Sequence, residues 1–282
     1  MRQKWASRHA ENEYIPRAVI PDPMFWLSLA LKMALTAAFV LSATIVTERL
    51  GPLLGALVAT LPVAAGPAYI FLALDHGPDF IAQSAVSSLA VNAATAVYAV
   101  VYARLAQRHG LAISLGIGFL VWVVLAVILR GTTWTLGSAL LLNVVVMPLC
   151  LIVARPLRNV PIPRVRGRWY DLIVRAGMVA LLVATVVGLS FRIGPAGTGV
   201  LAVFPIVLTS IMLLLHHRVG GPGTAAVLAH TVLGLCGFAA ALATLHVAAV
   251  PLGSVLALLS ALAVSIAWNL GILAARQYGI KV

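Results

Sequence analysis

The sequence predicts an all-α integral membrane protein of about nine transmembrane helices, arranged as two inverted-topology repeats of four helices with one linking helix. Three observations lead to this fold class. The composition is too apolar for a soluble domain, apolar runs of helix length follow one another along the chain, and the punctuation by Gly, Pro and Arg recurs 143 residues later.

The composition decides the solvent. The chain is 62% hydrophobic and 9% charged over 282 residues, with a mean hydropathy of +1.07, whereas soluble domains carry about 45–50% apolar and about 25% charged residues. So much apolar surface cannot be hidden from water. The net charge of +12 comes without a nucleic-acid recognition motif, so we interpret it as basic cytoplasmic loops and expect no nucleic-acid partner.

Apolar runs bounded by charge, Gly or Pro predict the spans, each long enough to cross a hydrocarbon core of about 30 Å as a helix. The alternating segments of about ten residues that would indicate a β-barrel do not occur in the sequence. In order, the predicted spans are 25–47, 53–74, 80–103, 111–129, 134–154, 171–191, 197–215, 223–246 and 252–275.

The spans group into segments along the chain. A polar tail precedes the first span and is too long for a secretory signal. The basic connector contains three prolines that prevent a helix, and we interpret it as a cytoplasmic anchor between the halves, with a platform for anionic lipid as the alternative. The segments are the tail 1–24, repeat 1 at 25–133, the linking span 134–154, the connector 155–170, repeat 2 at 171–275 and the tail 276–282.

The duplication rests on identities and close matches at one constant offset. The matching pairs are Trp26 and Trp169, Lys32 and Arg175, Arg49 and Arg192, Gly51-Pro52 and Gly194-Pro195, Pro62 and Pro205, and Gly77 and Gly220. Because one odd span separates the two repeats, the second repeat is predicted to be inverted in the membrane, as in many secondary transporters.

Charge predicts the orientation. The Arg-rich connector favours an N-terminus outside and a C-terminus inside the cell, with the loop 75–79 outside. The four basic residues of the N-terminal tail oppose this orientation. The alternative is that each Gly-Pro segment re-enters the membrane without crossing it, which would make the repeats parallel and place the C-terminus outside.

The phrase "RLGPLLGALVATLP" and its second copy "RIGPAGTGVLAVFP" are the strongest candidate for a functional site. Gly51-Pro52 and Gly194-Pro195 predict helix starts, whose free N–H groups suit anions. Pro62 and Pro205, ten residues further on, predict a kink or break in each helix. Broken helices at matching positions of two halves indicate a transporter's binding site, although Pro and Gly are also common in ordinary transmembrane helices.

Other candidate residues are polar groups within or beside spans. Lys32 and Arg175 lie about two turns into equivalent spans, where they either face an anionic substrate or extend to the interface. Arg49 and Arg192 lie at span boundaries, where interfacial anchoring is the alternative to substrate contact. Asn92 and His230 either contact substrate or bond neighbouring helices.

Enzyme activity is not expected, and neither is a cofactor or a metal. All seven acidic residues lie in tails, loops or span edges, and no HExxH or GxSxG motif occurs. Cys150 and Cys236 lie far apart in apolar runs, which is typical of packing residues.

The two copies of the phrase resemble the small GlpM-like bacterial inner-membrane proteins. The resemblance covers about 50 residues of each half and implies a small membrane protein fused in tandem, with no secure substrate. Gly199 is displaced by one position relative to Gly55. The residues that carry the resemblance are Gly51, Pro52, Gly55 and Pro62, then Gly194, Pro195, Gly199 and Pro205.

The sequence therefore favours a multi-pass secondary transporter or exporter of the cell inner membrane, working by alternating access between the repeats. The substrate is expected to be small and anionic or amphiphilic, and the partners are membrane lipids, the substrate, and a second copy or a membrane complex. An accessory subunit of a larger complex and a lipid flippase are the alternatives. The candidate substrate contacts are Lys32, Arg49, Gly51, Pro62, Asn92, Arg175, Arg192, Gly194, Pro205 and His230.

Overall fold

The computed structural model describes residues 23–49, 64–158 and 169–278, and within these ranges every regular element is a helix and none is a strand. A 3-10 turn at Arg155–Leu157 follows the fifth helix. The helices are α1 (Pro23–Arg49), α2 (Ala65–Asp75), α3 (Pro78–Leu105), α4 (Leu111–Arg130), α5 (Leu136–Ala154), α6 (Trp169–Ala202) and α7 (Ile206–Gln277).

Three glycines interrupt the two longest helices. The backbone leaves helical geometry at Gly194 in α6 and at Gly220 and Gly253 in α7, with φ of 69°, 73° and 79°. Positive φ with extended ψ is a region that essentially only glycine adopts without strain. The breaks divide α6 into α6a (169–193) and α6b (195–202), and α7 into α7a (206–219), α7b (221–252) and α7c (254–277).

Four stretches of the described chain are long and apolar enough to cross a membrane, namely Pro78–Leu105, Leu111–Arg130, Leu136–Leu157 and Trp169–Ala275. The sequence-based expectation of an all-helical fold is confirmed for the described residues, and these helices are compatible with membrane spans by their length and composition. The stretches differ in burial: 83% of the most apolar window of α3 is buried, against 22% in α4 and in α5. Helix α3 is therefore the central helix, and α4 and α5 present apolar side chains outward.

Small side chains let the other helices approach α3 closely. It packs against α4, α5, α6 and α7, and its alanines include the fully buried Ala85, Ala90 and Ala96. Small residues are the usual means of close helix packing in membranes, where apolar side chains gain little by associating. Helix α3 begins with Pro78 after Gly77 and has Asp79 in its first turn, and both residues favour a helix start.

Helix α7b runs antiparallel to α3 along its whole length. His246 Nδ1 donates to the carbonyl of Ala82 at 2.9 Å near the start of α3, and Asn92 Nδ2 donates to the carbonyl of Leu235 at 3.1 Å in the middle. Gly221 lies against the carbonyl of Ala106, just beyond the end of α3. We call the two ends of the molecule the Pro78 end and the Leu105 end, after the limits of α3.

Six predicted spans coincide with helices or helix segments to within about two residues: 25–47, 80–103, 111–129, 134–154, 171–191 and 252–275 correspond to α1, α3, α4, α5, α6a and α7c. The predicted continuous span 197–215 is wrong, because the chain leaves helical geometry at Val203 and resumes it at Ile206. Pro205 is the physical reason, since its ring excludes the preceding Phe204 from helical geometry.

The remaining predictions meet the structure only in part. Of span 53–74, only residues 64–74 belong to the described ranges, and Gly51 and Pro62 lie outside those ranges. Span 223–246 lies within the longer α7b. The segments α6a, α7b and α7c connect to their neighbours through the single glycines Gly194, Gly220 and Gly253, where loops were expected.

Candidate functional site

A stripe of polar residues runs along one face of α3 in the interior of the molecule. Ser84, Ser88, Asn92 and Thr95 are spaced by three or four residues, which places them on one side of a helix. All four are at most 4% exposed. We call these four residues the polar stripe.

Ser88 connects the polar stripe to two other helices. The hydroxyls of Tyr69 and Ser88 lie 2.7 Å apart, and Ser88 Oγ donates to the carbonyl of Gly199 at 2.7 Å. Because Ser88 donates its only hydroxyl proton to the carbonyl of Gly199, the hydroxyl of Tyr69 must be the donor in its hydrogen bond with Ser88. The chain of bonds joins α2, α3 and α6b at one buried point.

Gly199 makes this contact possible. A Cβ at Gly199 would lie 2.2 Å from the carbonyl oxygen of Ser84. At that distance the two non-bonded atoms would clash. The helix that follows Gly194-Pro195 therefore presses its backbone directly onto the polar stripe. This close approach gives a physical reason for a glycine within the second Gly-Pro phrase.

Asn92 and Asn143 form an amide pair in the middle of the bundle. Asn92 Nδ2 donates to Asn143 Oδ1 at 3.1 Å, and Asn143 Nδ2 donates to the carbonyls of Leu89 at 2.7 Å and Ala139 at 2.9 Å. Asn92 Oδ1 and Ser84 Oγ are buried and accept or donate no hydrogen bond within the described part of the protein. An unsatisfied buried group costs about 1–3 kcal/mol, so the stripe offers open hydrogen-bonding positions.

Two ion pairs lie outside the stripe, one at each end of the molecule. Lys32 Nζ lies 2.8 and 2.6 Å from the two carboxylate oxygens of Asp75, at the Pro78 end. Arg218 contacts both carboxylate oxygens of Asp171 at 2.6 and 2.5 Å. This pair lies at the Leu105 end, because Arg218 comes three residues before Gly221. Arg218 also donates to the hydroxyl of Tyr170.

His76 lies beside the first ion pair, in the turn between α2 and α3. Its ring stacks on Phe80 with centroids 3.8 Å apart and contacts Phe191 at 4.3 Å. Its Nε2 donates to Ser190 Oγ at 2.8 Å, because Ser190 gives its own proton to the carbonyl of Val187. Burial lowers the pKa of His76, with Asp75 acting against this shift and Lys32 reinforcing it, so the ring is neutral at pH 7.

The structure separates the cationic residues predicted to contact one substrate. Lys32 pairs with Asp75 at the Pro78 end, and Arg175 lies one turn from Asp171, toward the Leu105 end. Arg192 is exposed and follows Phe191 at the Pro78 end. Arg49 is the last residue of α1. The cations therefore belong to different places, although the sequence grouped them as a set.

The other predicted site residues lie as follows. Asn92 belongs to the polar stripe, and Pro205 is buried at the turn between α6b and α7a. Gly194 is the break that starts α6b, as the Gly-Pro motif predicts. His230 is half-buried on α7b, and Gly51 and Pro62 lie outside the described residues.

Sequence reasoning missed several residues of this arrangement. Tyr69, Ser84 and Ser88 carry no signal in sequence, because hydroxyl residues are common in apolar helices. For Asp75 and Arg218 the sequence did contain a signal. They lie 143 positions apart, which is the offset between the matching residues of the two repeats, and they have opposite charges. No three His, Cys, Asp or Glu residues of the described ranges gather as a metal site.

Comparison with known proteins adds no relative to this description. A scan against models of protein families finds none that matches the chain, and searches of curated proteins and of solved structures also give no match.

Proposed function

We propose that the protein is a multi-pass secondary transporter or exporter of the cell inner membrane, built from two inverted repeats of four helices joined by α5. The repeats would work by alternating access around the polar stripe. Three groups of observations support this proposal.

The contact between Asn92 and Leu235 carries most of the weight. These residues lie 143 positions apart, which is the offset of the duplication read from the sequence. In a duplicated chain, equivalent residues meet where the symmetry axis crosses. Since α3 and α7b are antiparallel, that axis is perpendicular to the helices and lies in the plane of the membrane, which is the geometry of inverted-repeat transporters.

Helix boundaries repeat with the same offset. Helices α3 and α7b start directly after Gly77 and Gly220, and α4 and α7c start directly after Gly110 and Gly253. Both pairs of glycines lie 143 positions apart. Agreement of helix starts favours a duplicated architecture over a chance similarity of Gly and Pro.

The level of the Asn92–Leu235 contact is where a substrate would bind. Substrate sites of inverted-repeat transporters lie near the midplane at the interface of the repeats, beside broken helices. Here α6b, the first helix of the broken pair α6b and α7a, packs against the stripe through Gly199, and Pro205 at the break is buried. A Pro205 that faced lipid would have argued against transport, and the buried position of Pro205 is not that arrangement.

The substrate we propose is small and anionic or amphiphilic. The structure weakens one basis for this class, because Asp75 neutralises Lys32. The net charge of +12 still favours the approach of anions. At the stripe, hydroxyl and amide groups would hold the substrate by hydrogen bonds.

Flux into proteoliposomes tests the proposal. Purified protein would be assayed with radiolabelled acetate, lactate, phosphate and glycerol 3-phosphate, and with a fluorescent amphiphilic anion. We expect saturable uptake of at least one probe, reduced roughly tenfold by Asn92→Ala, the effect of losing about 1.4 kcal/mol of binding. The matched control is Ser42→Ala, which removes an exposed hydroxyl of α1.

Two results would overturn the transporter proposal. Absence of flux for every probe, together with stoichiometric co-purification of a membrane partner, would favour an accessory subunit. Scrambling of a fluorescent phospholipid, detected by dithionite quenching in the same vesicles, without flux of soluble probes, would favour a flippase.

A further inference from the structure

The two ion pairs occupy equivalent places in the two halves. Asp75 and Arg218 lie 143 positions apart, and each is followed two residues later by the glycine that ends its helix, Gly77 or Gly220. The partner of each comes from the first helix of the same half. Lys32 corresponds to Arg175, which lies one helical turn after Asp171.

The charges of the two pairs are reversed. In the first half the cation Lys32 is on α1 and the acid Asp75 ends α2. In the second half the acid Asp171 is on α6a and the cation Arg218 lies near the end of α7a. An ion pair thus joins the equivalent two helices in each half, with the positions of the acid and the cation exchanged. The recurrence indicates that the contact matters more than the identity of either side chain.

The pairs lie at opposite ends of the molecule. Asp75 lies three residues before Pro78, where α3 begins, and Arg218 lies three residues before Gly221, which contacts Ala106 beyond the other end of α3. The polar stripe lies between them. Positive-inside orientation places the loop 75–79 outside the cell, and therefore the Lys32–Asp75 pair outside and the Asp171–Arg218 pair inside.

Both pairs are partly exposed to solvent. The side chains of Lys32 and Asp75 are 15% and 21% exposed, and those of Arg218 and Asp171 are 16% and 11% exposed. Water at the rim can solvate the charges when the pair separates, so the penalty of leaving buried charges unpaired is reduced. Each pair also adjoins a glycine, and glycines suit hinge positions because they absorb backbone rotation.

We propose that Lys32–Asp75 and Asp171–Arg218 are the outer and inner gates of one pathway that passes the polar stripe, and that they open alternately. This inference rests on the proposed transport function. Breaking one pair shifts the population toward the conformer open at that end, while the other pair stays closed.

Sided labelling of a single cysteine tests the gates without knowledge of the substrate. The reporter is Ser88→Cys, which is nearly isosteric, in a background carrying Cys150→Ala and Cys236→Ala, since these are the protein's two cysteines. A membrane-impermeant maleimide is applied to right-side-out and to inside-out vesicles. We expect Asp75→Asn to raise labelling from outside roughly tenfold and to lower it from inside, and Asp171→Asn to do the reverse.

Two controls guard against unfolding. The charge exchange Lys32→Asp with Asp75→Lys should restore the labelling pattern of the parent, which a merely unfolded protein would not show. Size-exclusion profiles in detergent should be unchanged in every variant, and Asp79→Asn, in the first turn of α3, is the matched acid-to-amide control that should leave labelling unaltered.

The outcomes separate the gates from the transporter proposal. If the parent labels from both faces but both neutralised variants behave like it, or raise labelling from the same face, alternating access stands and the gates are overturned. If the reporter labels from neither face in the parent or in any variant, both proposals are overturned.

Discussion

Three glycines have no room for a side chain, because other helices press directly on their backbones. A Cβ would lie 2.2 Å from the carbonyl oxygen of Ser84 at Gly199, 1.9 Å from that of Ala106 at Gly221, and 2.3 Å from Trp268 Cδ1 at Gly237. At the first two positions the obstacle is backbone, which cannot rotate away. Gly199 and Gly221 thus set how closely α6b and α7b approach α3, and Gly237 sets how closely α7c approaches α7b.

We predict that Gly199→Ala destabilises the protein by about 1–3 kcal/mol, the range for overpacking a tight interior. The measurement is the thermal unfolding midpoint of the purified protein in detergent. Gly188→Ala is the matched control on the same helix, because no described atom lies within 4 Å of the added methyl. Equal midpoints for the two variants would contradict the close approach of α6b to α3.

His76 gives a prediction of pH dependence. Burial lowers its pKa in the folded protein relative to about 6.5 in the unfolded chain. The unfolded chain therefore takes up the proton first, and stability falls as pH drops through about 6.5 and below. We expect the midpoint to fall more between pH of about 7.5 and 5.5 in the parent than in His76→Gln. An identical fall in both would show that His76 does not contribute.

Some features of single residues could be predicted from the sequence, and others could not. The break at Gly194 was predictable, because the Gly-Pro pair acts locally on the backbone. The pairing of Lys32 with Asp75 was not, since it joins residues 43 positions apart and depends on how α1 and α2 pack. Lys32 was accordingly interpreted as a cation able to meet an anionic substrate.

Helices of the second half turn at single glycines where the first half uses short breaks with ordinary backbone angles. Gly77 and Gly110 have φ of −72° and −69°, whereas their counterparts Gly220 and Gly253 have φ of 73° and 79°. All four have extended ψ. The two halves thus place their breaks equivalently but make them with opposite signs of φ.

This difference predicts opposite tolerance to the same substitution at equivalent positions. Gly220→Ala should destabilise by about 1–3 kcal/mol, the cost of holding a non-glycine residue in that region. Gly77→Ala should be nearly neutral, because its φ suits any residue and no described atom lies within 4 Å of the new methyl. Thermal midpoints of the two variants, measured side by side, test the assignment; a larger loss in Gly77→Ala would refute it.

Element boundaries were predictable where the chain punctuates itself, and less so where helices simply bend. Charged residues, proline and glycine at the ends of the apolar runs placed the limits of α3, α4 and α5 correctly, because their effects are confined to neighbouring residues. The span 197–215 failed because Phe204-Pro205 ends a helix rather than kinking it. The sequence predicted a disturbance at Pro205 but not its extent, which depends on the packing of α6b on α3.

At the scale of the whole molecule, the proposed inverted architecture predicts where the termini lie. Nine crossings would place the N-terminus outside and the C-terminus inside the cell. Reporter fusions to each terminus measure this, with alkaline phosphatase active outside and a fluorescent protein active inside. A third fusion within the connector 155–170 should report a cytoplasmic position. A cytoplasmic N-terminus would refute the nine-crossing model.

The expectation of a membrane protein followed from composition alone, because a chain of this size has too much apolar surface to bury in a soluble fold. The antiparallel contact of α3 with α7b needed the structure, although the offset that makes Asn92 and Leu235 equivalent was already visible in the sequence. The offset identifies equivalent positions, but only packing decides whether such positions touch.

The antiparallel pair α3 and α7b also brings two opposed helix dipoles together at the centre of the molecule. Each helix carries a macrodipole equivalent to about half a charge at either end, positive at its N-terminus. At the Pro78 end the N-terminus of α3 lies beside the C-terminal part of α7b, and the reverse holds at the Leu105 end, so the two dipoles oppose and largely cancel. In the proposed transport cycle, a charged substrate at the polar stripe would therefore meet little axial bias from the dipoles of the two central helices, and the direction of its movement would come from the membrane potential or from a gradient.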